Sequence, residues 1–178
     1  MSGALGDAAL RVCLDREVVL ASHQLAVREW PGRRGPVLFV GDSSNAACQL
    51  AARLAPGYRV LSLAAQQAVP YQIAALDVIG LLDQFGFAAP VLVAEKHACL
   101  TVLVVAAWQP TRPAGLVLVD AVVEVPPGVA DTGLAGLALR TCPPDWPTLR
   151  ALVQCPMLEL SAPAPDAQLA AFVKRCLN

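Results

Sequence analysis

The chain has 178 residues, of which 56% are apolar and 15% are charged, with a formal net charge of −1 at pH 7. This length suits one domain, and this charge leaves no basic surface of the kind that binds nucleic acid. The longest apolar run without a charge or breaker, Ala98 to Trp108, falls short of the roughly 20 residues that span a membrane. The high apolar share instead favours an oligomer, in which surface side chains are buried against a partner.

The first residues, "MSGALGDAALRVCLDREV", show no basic region followed by an apolar core, so no secretory signal is expected. The six cysteines have no CxxC or other metal-ligand spacing. We therefore predict reduced cysteines in a cytoplasmic protein that needs no metal and no cofactor. The one basic cluster, Arg33 and Arg34 in "PGRRGP", is interpreted as a solvated turn rather than a binding patch.

The first predicted elements are strands. The segment from Arg16 to Trp30 alternates between polar and apolar residues, which predicts two strands paired as a hairpin at a sheet edge. After the turn, "VLFVG" is a short apolar run typical of a strand buried on both faces. "AACQLAARLAPG" has helical spacing and follows the N-cap oxygens of "DSSN". "YRVLSLAA" predicts the next buried strand, and "YQIAALDVIGLLDQFGF" predicts a helix with Asp77 and Asp83 on its outer side.

The same alternation continues in the middle of the chain. "PVLVA" and "AGLVLVDAVV" predict buried strands on either side of "HACLTVLVVAAWQP", a helix that is apolar nearly all round. Strict alternation from Val37 to Val123 predicts an α/β fold, a mostly parallel sheet with helices on both faces. We expect a single domain over residues 1–178: N-terminal edge strands (1–36), an alternating core (37–123), an irregular crossover (124–147), and a last strand and helix (148–178).

Two stretches resemble the α/β-hydrolase family. "LAVREWPGRRGPVLFVGDSSNAACQLAARLAPGYRVLSLAA" is similar to the strands, glycine loop and helix that open that fold. "VIGLLDQFGFAAPVLVAEKHACLTVLVVAAWQPTRPAGLVLVDA" is similar to its elbow strand, elbow helix and following strand. The similarity runs from about Gln24 to Ala121 and continues more weakly through "LRALVQCPMLELSAPAPDAQLAAFV". The resemblance implies an α/β-hydrolase-like fold that lacks the last strand and a substantial cap domain.

The resemblance also places the family's catalytic positions, and this sequence departs from them. The family's nucleophile lies at the centre of a G-x-S-x-G elbow. Here the elbow is Ala94 to Ala98, and Lys96 takes the nucleophile position between two small flanking alanines. The acid would follow "MLELS", where Asp166 is the sole candidate, and neither His23 nor His97 has the place of the family's base. A serine-hydrolase triad is therefore not expected.

Candidate site residues nevertheless cluster at this elbow. Lys96 either holds a carboxylate or phosphate, or forms a Schiff base, at the mouth of a pocket, or it replaces serine and reaches solvent or pairs with Glu95. As an alternative function, Glu95, Lys96 and His97 serve proton transfer in a non-hydrolytic enzyme of the lyase, cyclase or isomerase type. Further candidates for ligand binding follow the predicted strands at their carboxyl ends: Gly41, Asp42, Ser43 and Asp120.

The leading hypothesis is a non-catalytic α/β-hydrolase-like protein that acts as a small-molecule-binding or assembly subunit, with a small apolar molecule as a candidate ligand. A homo-oligomer or a protein partner is expected at the C-terminal edge, because an uncovered apolar strand is a template for pairing with another chain. The residues expected at that contact are Met157, Leu158, Leu160, Leu169, Phe172 and Val173.

Overall fold

A computed structural model describes residues 13–20, 23–41, 49, 54, 57–64, 69–121, 146–161 and 166–178. Within these ranges seven strands form one sheet and four helices pack on it. The strands are β1 (Leu14–Leu20), β2 (His23–Trp30), β3 (Arg34–Gly41), β4 (Tyr58–Ala64), β5 (Val91–Glu95), β6 (Gly115–Val119) and β7 (Met157–Leu160). The helices are α1 (Tyr71–Gln84), α2 (Ala98–Trp108), α3 (Trp146–Leu152) and α4 (Asp166–Leu177).

The sheet has the strand order β1-β2-β4-β3-β5-β6-β7. β1 and β2 form the predicted antiparallel hairpin, and β2 pairs antiparallel with β4. The other neighbours, from β4 through β3, β5 and β6 to β7, pair in parallel. The prediction of a mostly parallel sheet is confirmed. The carboxyl ends of the central strands therefore meet at one edge of the sheet and their amino ends at the opposite edge.

The central strands are apolar throughout because both of their faces are covered. Successive residues point to opposite faces, so each strand contributes to two separate cores. The core beneath α1, α2 and α3 contains Leu38, Leu92 and Leu116. The core beneath α4 contains Val37, Val91 and Val117. This arrangement explains why "VLFV", "VLVA" and "LVLV" show no polar alternation.

Helix α2 is apolar nearly all round because it lies between other elements. Every residue from Ala98 to Ala106 is buried, and the helix contacts α1, α3 and the sheet. None of the helices in the described ranges has the length and apolar character needed to cross a membrane.

The prediction that Asp77 lies on the outer side of α1 is wrong. Asp77 is only 6% exposed, because it shares a helix face with the buried Leu81, four residues further on. Asp83 is on the outer side, as predicted, where its carboxylate pairs with Arg112 at 2.6 Å.

The last helix also corrects a prediction. Leu169, Phe172 and Val173 on α4, which we expected at a contact with another chain, are buried in the chain's own core together with Leu160. The apolar face of α4 is covered intramolecularly, since the helix packs across β3, β5 and β6. Of the predicted contact residues, the half-buried Met157 and Leu158 remain accessible.

Two predicted segments lie largely outside the described residues. Of "AACQLAARLAPG" the structure describes Gln49, Leu54 and Gly57. Residues 122–145, which hold most of the predicted crossover, are not among those described. The crossover therefore stays a prediction, and α3 begins at Trp146.

Candidate functional site

The turn between β5 and α2 is a tight elbow centred on Lys96. Lys96 has φ +52, in the left-handed region that disfavours residues with a side chain. Its N–H donates a hydrogen bond to the Val119 carbonyl on β6 (2.9 Å), and its own carbonyl accepts one from the Cys99 N–H (3.2 Å). These bonds tie the turn to the adjacent strand and to the first turn of α2. A strained backbone of this kind is typical of functional positions.

The packing beside the elbow explains its small residues. Ala94 is fully buried at the end of β5, and Ala98 is 4% exposed at the start of α2. Larger side chains at these positions would need space that the surrounding core does not provide. The predicted pattern of small residues on both sides of Lys96 therefore has a steric cause.

The three polar residues of the elbow differ in exposure. Lys96 and His97 are exposed, and Glu95 is half-buried. Lys96 makes no ion pair with a residue in the described part of the chain. The Lys96 side chain is therefore accessible to a ligand.

The Glu95 carboxylate is directed to the end of β3. A methyl group added at Gly41 would lie 3.0 Å from Glu95 Oε2 and 2.9 Å from Phe39 Cε1. Glycine at this position leaves room for both side chains, and the structure brings Glu95 and Gly41 together. Phe39 was not among the predicted site residues, because one aromatic residue in an apolar strand carries no signal of a site.

Asp120 lies beside Lys96 at the same edge of the sheet. Glu95 and Val119 are paired in register on β5 and β6, so the residues that follow them are neighbours. Asp120 has φ +46, is exposed, and donates its N–H to the Leu160 carbonyl on β7 (2.9 Å). The adjacent parallel strands β5 and β6 are thus each followed by a residue with left-handed backbone, the basic Lys96 and the acidic Asp120.

Cys99 lies beneath this pair and is not a nucleophile. Its Sγ is 3.3 Å from the Ala94 carbonyl oxygen and 3.8 Å from that of Val119. The pKa of the thiol is raised to about 12, chiefly by burial and to a lesser extent by the negative charges of Glu95 and Asp120, although the hydrogen bond to Val119 acts in the other direction. At neutral pH the group is a protonated thiol with low reactivity.

Two of the predicted ligand-binding residues, Asp42 and Ser43, lie outside the described residues. Of the two histidines, His97 is at the elbow and His23 begins β2, opposite Leu20 of β1. Asp166, the sole candidate for the family's acid, begins α4. In the ranges that the structure describes, no three His, Cys, Asp or Glu side chains are placed to hold a metal ion together.

No protein-family model matches the sequence, and no curated protein matches it. Solved structures do match. A haloalkane dehalogenase from Agrobacterium tumefaciens C58 is similar with a TM-score of 0.56 and 17% identity, over 67% of this chain and 45% of that one. An E-2-(acetamidomethylene)succinate hydrolase has a TM-score of 0.56 and 21% identity, over 64% of this chain and 46% of that one. An epoxide hydrolase from Vigna radiata has a TM-score of 0.56 and 18% identity, over 66% of this chain and 43% of that one.

These similarities show that the chain has the α/β-hydrolase fold, with β7 as its last described strand. The chain spans less than half the length of each of the three structures. At such low identity the likeness concerns the fold, since one fold carries many unrelated activities.

Proposed function

We propose that this chain is a non-catalytic protein of the α/β-hydrolase fold that binds a small molecule at the elbow. The observation that carries the proposal is Lys96, an exposed amine at φ +52 in the nucleophile position. The strained turn is retained while the side chain that it would present for hydrolysis is not. A serine-hydrolase mechanism needs a hydroxyl, a base and oriented donors that act as a unit.

The charge of Lys96 favours an anionic ligand. The ammonium group is suited to hold a carboxylate or phosphate as a point charge. The neighbouring Phe39 and Ala94 are buried in the core and offer no contact surface to a ligand. The ligand class we propose is therefore a small molecule with one anionic group.

The purified protein is expected not to hydrolyse activated acyl esters, and neither is Lys96→Ser. The variant should remain folded, because Ser is smaller than Lys and the adjacent Ala94 and Ala98 leave the turn unchanged. Neither His23 nor His97 has the place of the family's base, and an isolated hydroxyl is a weak nucleophile at neutral pH. The measurement is p-nitrophenyl acetate turnover by wild type, Lys96→Ser and Lys96→Ala. Turnover by the wild type that disappears in Lys96→Ala would overturn the non-catalytic assignment.

The alternative is a non-hydrolytic lyase, cyclase or isomerase that uses Glu95, Lys96 and His97 for proton transfer. Proton transfer by these residues would need a site that holds a substrate within hydrogen-bond reach of them. Lys96 and His97 are exposed, which weighs against this alternative. Binding without catalysis remains the better proposal.

We further propose an assembly role for the edge of the sheet at β7. Within the described residues β7 pairs with β6 alone, and an open edge strand is a template for another chain. Met157 and Leu158 are half-buried, and Glu159, paired with Arg150 at 3.1 Å, is the one charged residue on the strand. The occupant we propose is a second copy of the chain, related by a two-fold axis.

The association should be sensitive to charge at this edge. Leu158→Lys is expected to shift a dimer towards monomer in sedimentation velocity at micromolar concentration, because a lysine on an edge strand opposes pairing. Val19→Lys is the matched control, since Val19 is an apolar residue, 61% exposed, on β1 at the other edge of the sheet. A wild type that sediments as a monomer would contradict this role.

We also propose that the protein is located in the cytoplasm. Four cysteines in the described ranges are free thiols: Cys13, Cys99, Cys155 and Cys176. Free thiols support a reducing environment and hence a cytoplasmic location.

A further inference from the structure

A cleft lies at the amino ends of the parallel strands, opposite the elbow. Its volume is about 560 Å³, within the usual range for small-molecule sites. Five segments that are distant in the sequence form its walls: the turn before β3, the start of β4, the loop before β5, the residue before β6, and the end of α4. The residues that line it include Gly32, Arg33, Arg34, Arg59, Phe87 and Leu177.

The charged side chains of this cleft are all arginines, and no aspartate or glutamate is among its described lining residues. Arg33 and Arg34 are exposed and make no ion pair with any residue in the described ranges. Arg59 shares the Glu29 carboxylate with Arg16. One carboxylate does not neutralise two guanidinium groups, so the back wall also keeps a positive charge.

The two unpaired arginines are held by their backbone. The N–H groups of Arg33 and Arg34 both donate to the Gly57 carbonyl, at 3.0 and 2.7 Å. The Arg34 guanidinium lies 6.0 Å from the centroid of the Tyr58 ring. A methyl group added at Gly57 would lie 3.3 Å from Arg34 Cδ. The side chain of Arg34 is therefore positioned by packing, while its charge stays available.

We propose that this cleft binds a phosphate-bearing small molecule, with a diphosphate group between Arg33 and Arg34. Guanidinium groups bind phosphate oxygens through paired, charge-assisted hydrogen bonds. A diphosphate has enough oxygens to engage both arginines, and its charge matches the surplus of cations. The remaining volume accommodates an organic moiety beside Leu177 and the loop Gly86–Ala89.

The proposed phosphate site is independent of the elbow. β3 begins with Arg34 at the cleft and ends with Gly41 beside the elbow. Eight extended residues place these ends roughly 23 Å apart. Loss of binding at one site leaves the proposal for the other unchanged.

The test is calorimetric titration of the full chain with inorganic pyrophosphate and with orthophosphate at low ionic strength. Saturable binding at one site per chain is expected, tighter for pyrophosphate because it reaches both arginines. Arg33→Gln and Arg34→Gln should each weaken pyrophosphate binding about tenfold or more. Arg34→Lys keeps the charge but loses the bidentate fork, so its affinity should fall between those of Arg34→Gln and the wild type.

Lys174→Gln is the matched control, since Lys174 is an exposed cation of α4 that does not line the cleft. Its affinity for pyrophosphate should equal that of the wild type. Thermal unfolding without ligand confirms that each variant is folded. No saturable binding at millimolar pyrophosphate, an equal loss in Lys174→Gln, or equal affinity for the two anions would overturn the proposal.

Discussion

Replacing Glu29 with Gln is expected to lower the free energy of unfolding by about 2 to 3 kcal/mol. The Glu29 carboxylate is 4% exposed, and its two oxygens pair with Arg16 Nε (2.6 Å) and Arg59 Nε (2.8 Å). A glutamine of the same size can keep the hydrogen bond that Arg59 Nε donates to Oε1, but it has no negative charge for either arginine. Removing one partner of a buried ion pair costs about 3 to 5 kcal/mol, and the partial exposure of both arginines lowers that figure.

Arg59 has little freedom to escape to water when its partner is lost. Its Nη1 donates to the Phe85 carbonyl (3.2 Å), and its guanidinium lies 5.0 Å from the centroid of the Phe87 ring. Asp15→Asn is the control, because Asp15 pairs with Arg28 at 2.9 Å while 78% of its side chain is exposed. This variant should change stability by less than about 0.5 kcal/mol. Equal losses in the two variants, measured by urea unfolding, would show that burial of Glu29 is unimportant.

Replacing Gly32 with Ala is expected to cost more than about 3 kcal/mol, above the usual range for overpacking. The added methyl group would lie 2.1 Å from the Tyr58 carbonyl oxygen and 2.6 Å from the Arg59 backbone nitrogen. These are backbone atoms at the start of β4, where β3 pairs on one side and β2 on the other. A side chain could rotate away from such a contact, but a paired strand cannot.

Gly86→Ala separates this clash from the general cost of replacing a glycine. Gly86 has φ +67, and no heavy atom lies within 4 Å of an added methyl group. The expected cost is therefore the left-handed backbone alone, roughly 1 to 2 kcal/mol. Urea unfolding of both variants provides the measurement. A Gly32→Ala variant no less stable than Gly86→Ala would mean that the turn before β3 can shift away from β4.

Local sequence patterns determined most of the architecture. The continuous apolar runs of β3, β5 and β6 have that composition because helices cover both faces of the sheet, so the sequence predicts a parallel sheet. The sequence predicts the position of the elbow for a similar reason. Small residues around Lys96 reflect a steric demand within five consecutive residues, and such short-range demands leave their mark on the sequence.

The side of a helix that faces the core was less predictable where a polar residue is buried. A charged residue such as Asp77 predicts a solvent-facing position, and only its packing beside Leu81 shows that it is buried. The same holds for α4. Its amphipathic sequence predicts that one face of the helix is buried, but it does not predict which element covers that face. The sheet of its own chain covers Phe172 and Val173, where the sequence had suggested a partner.

Only the tertiary structure decided which residues from distant segments of the chain lie close together. By itself the sequence determined the fold class, the elbow and the absence of a hydroxyl at its centre. Strand order determines the closeness of Glu95 to Gly41, the position of Lys96 next to Asp120 at neighbouring strand ends, and the arginine-lined cleft. Strand order is set by long-range packing, which brings together residues that show no periodicity or spacing in common.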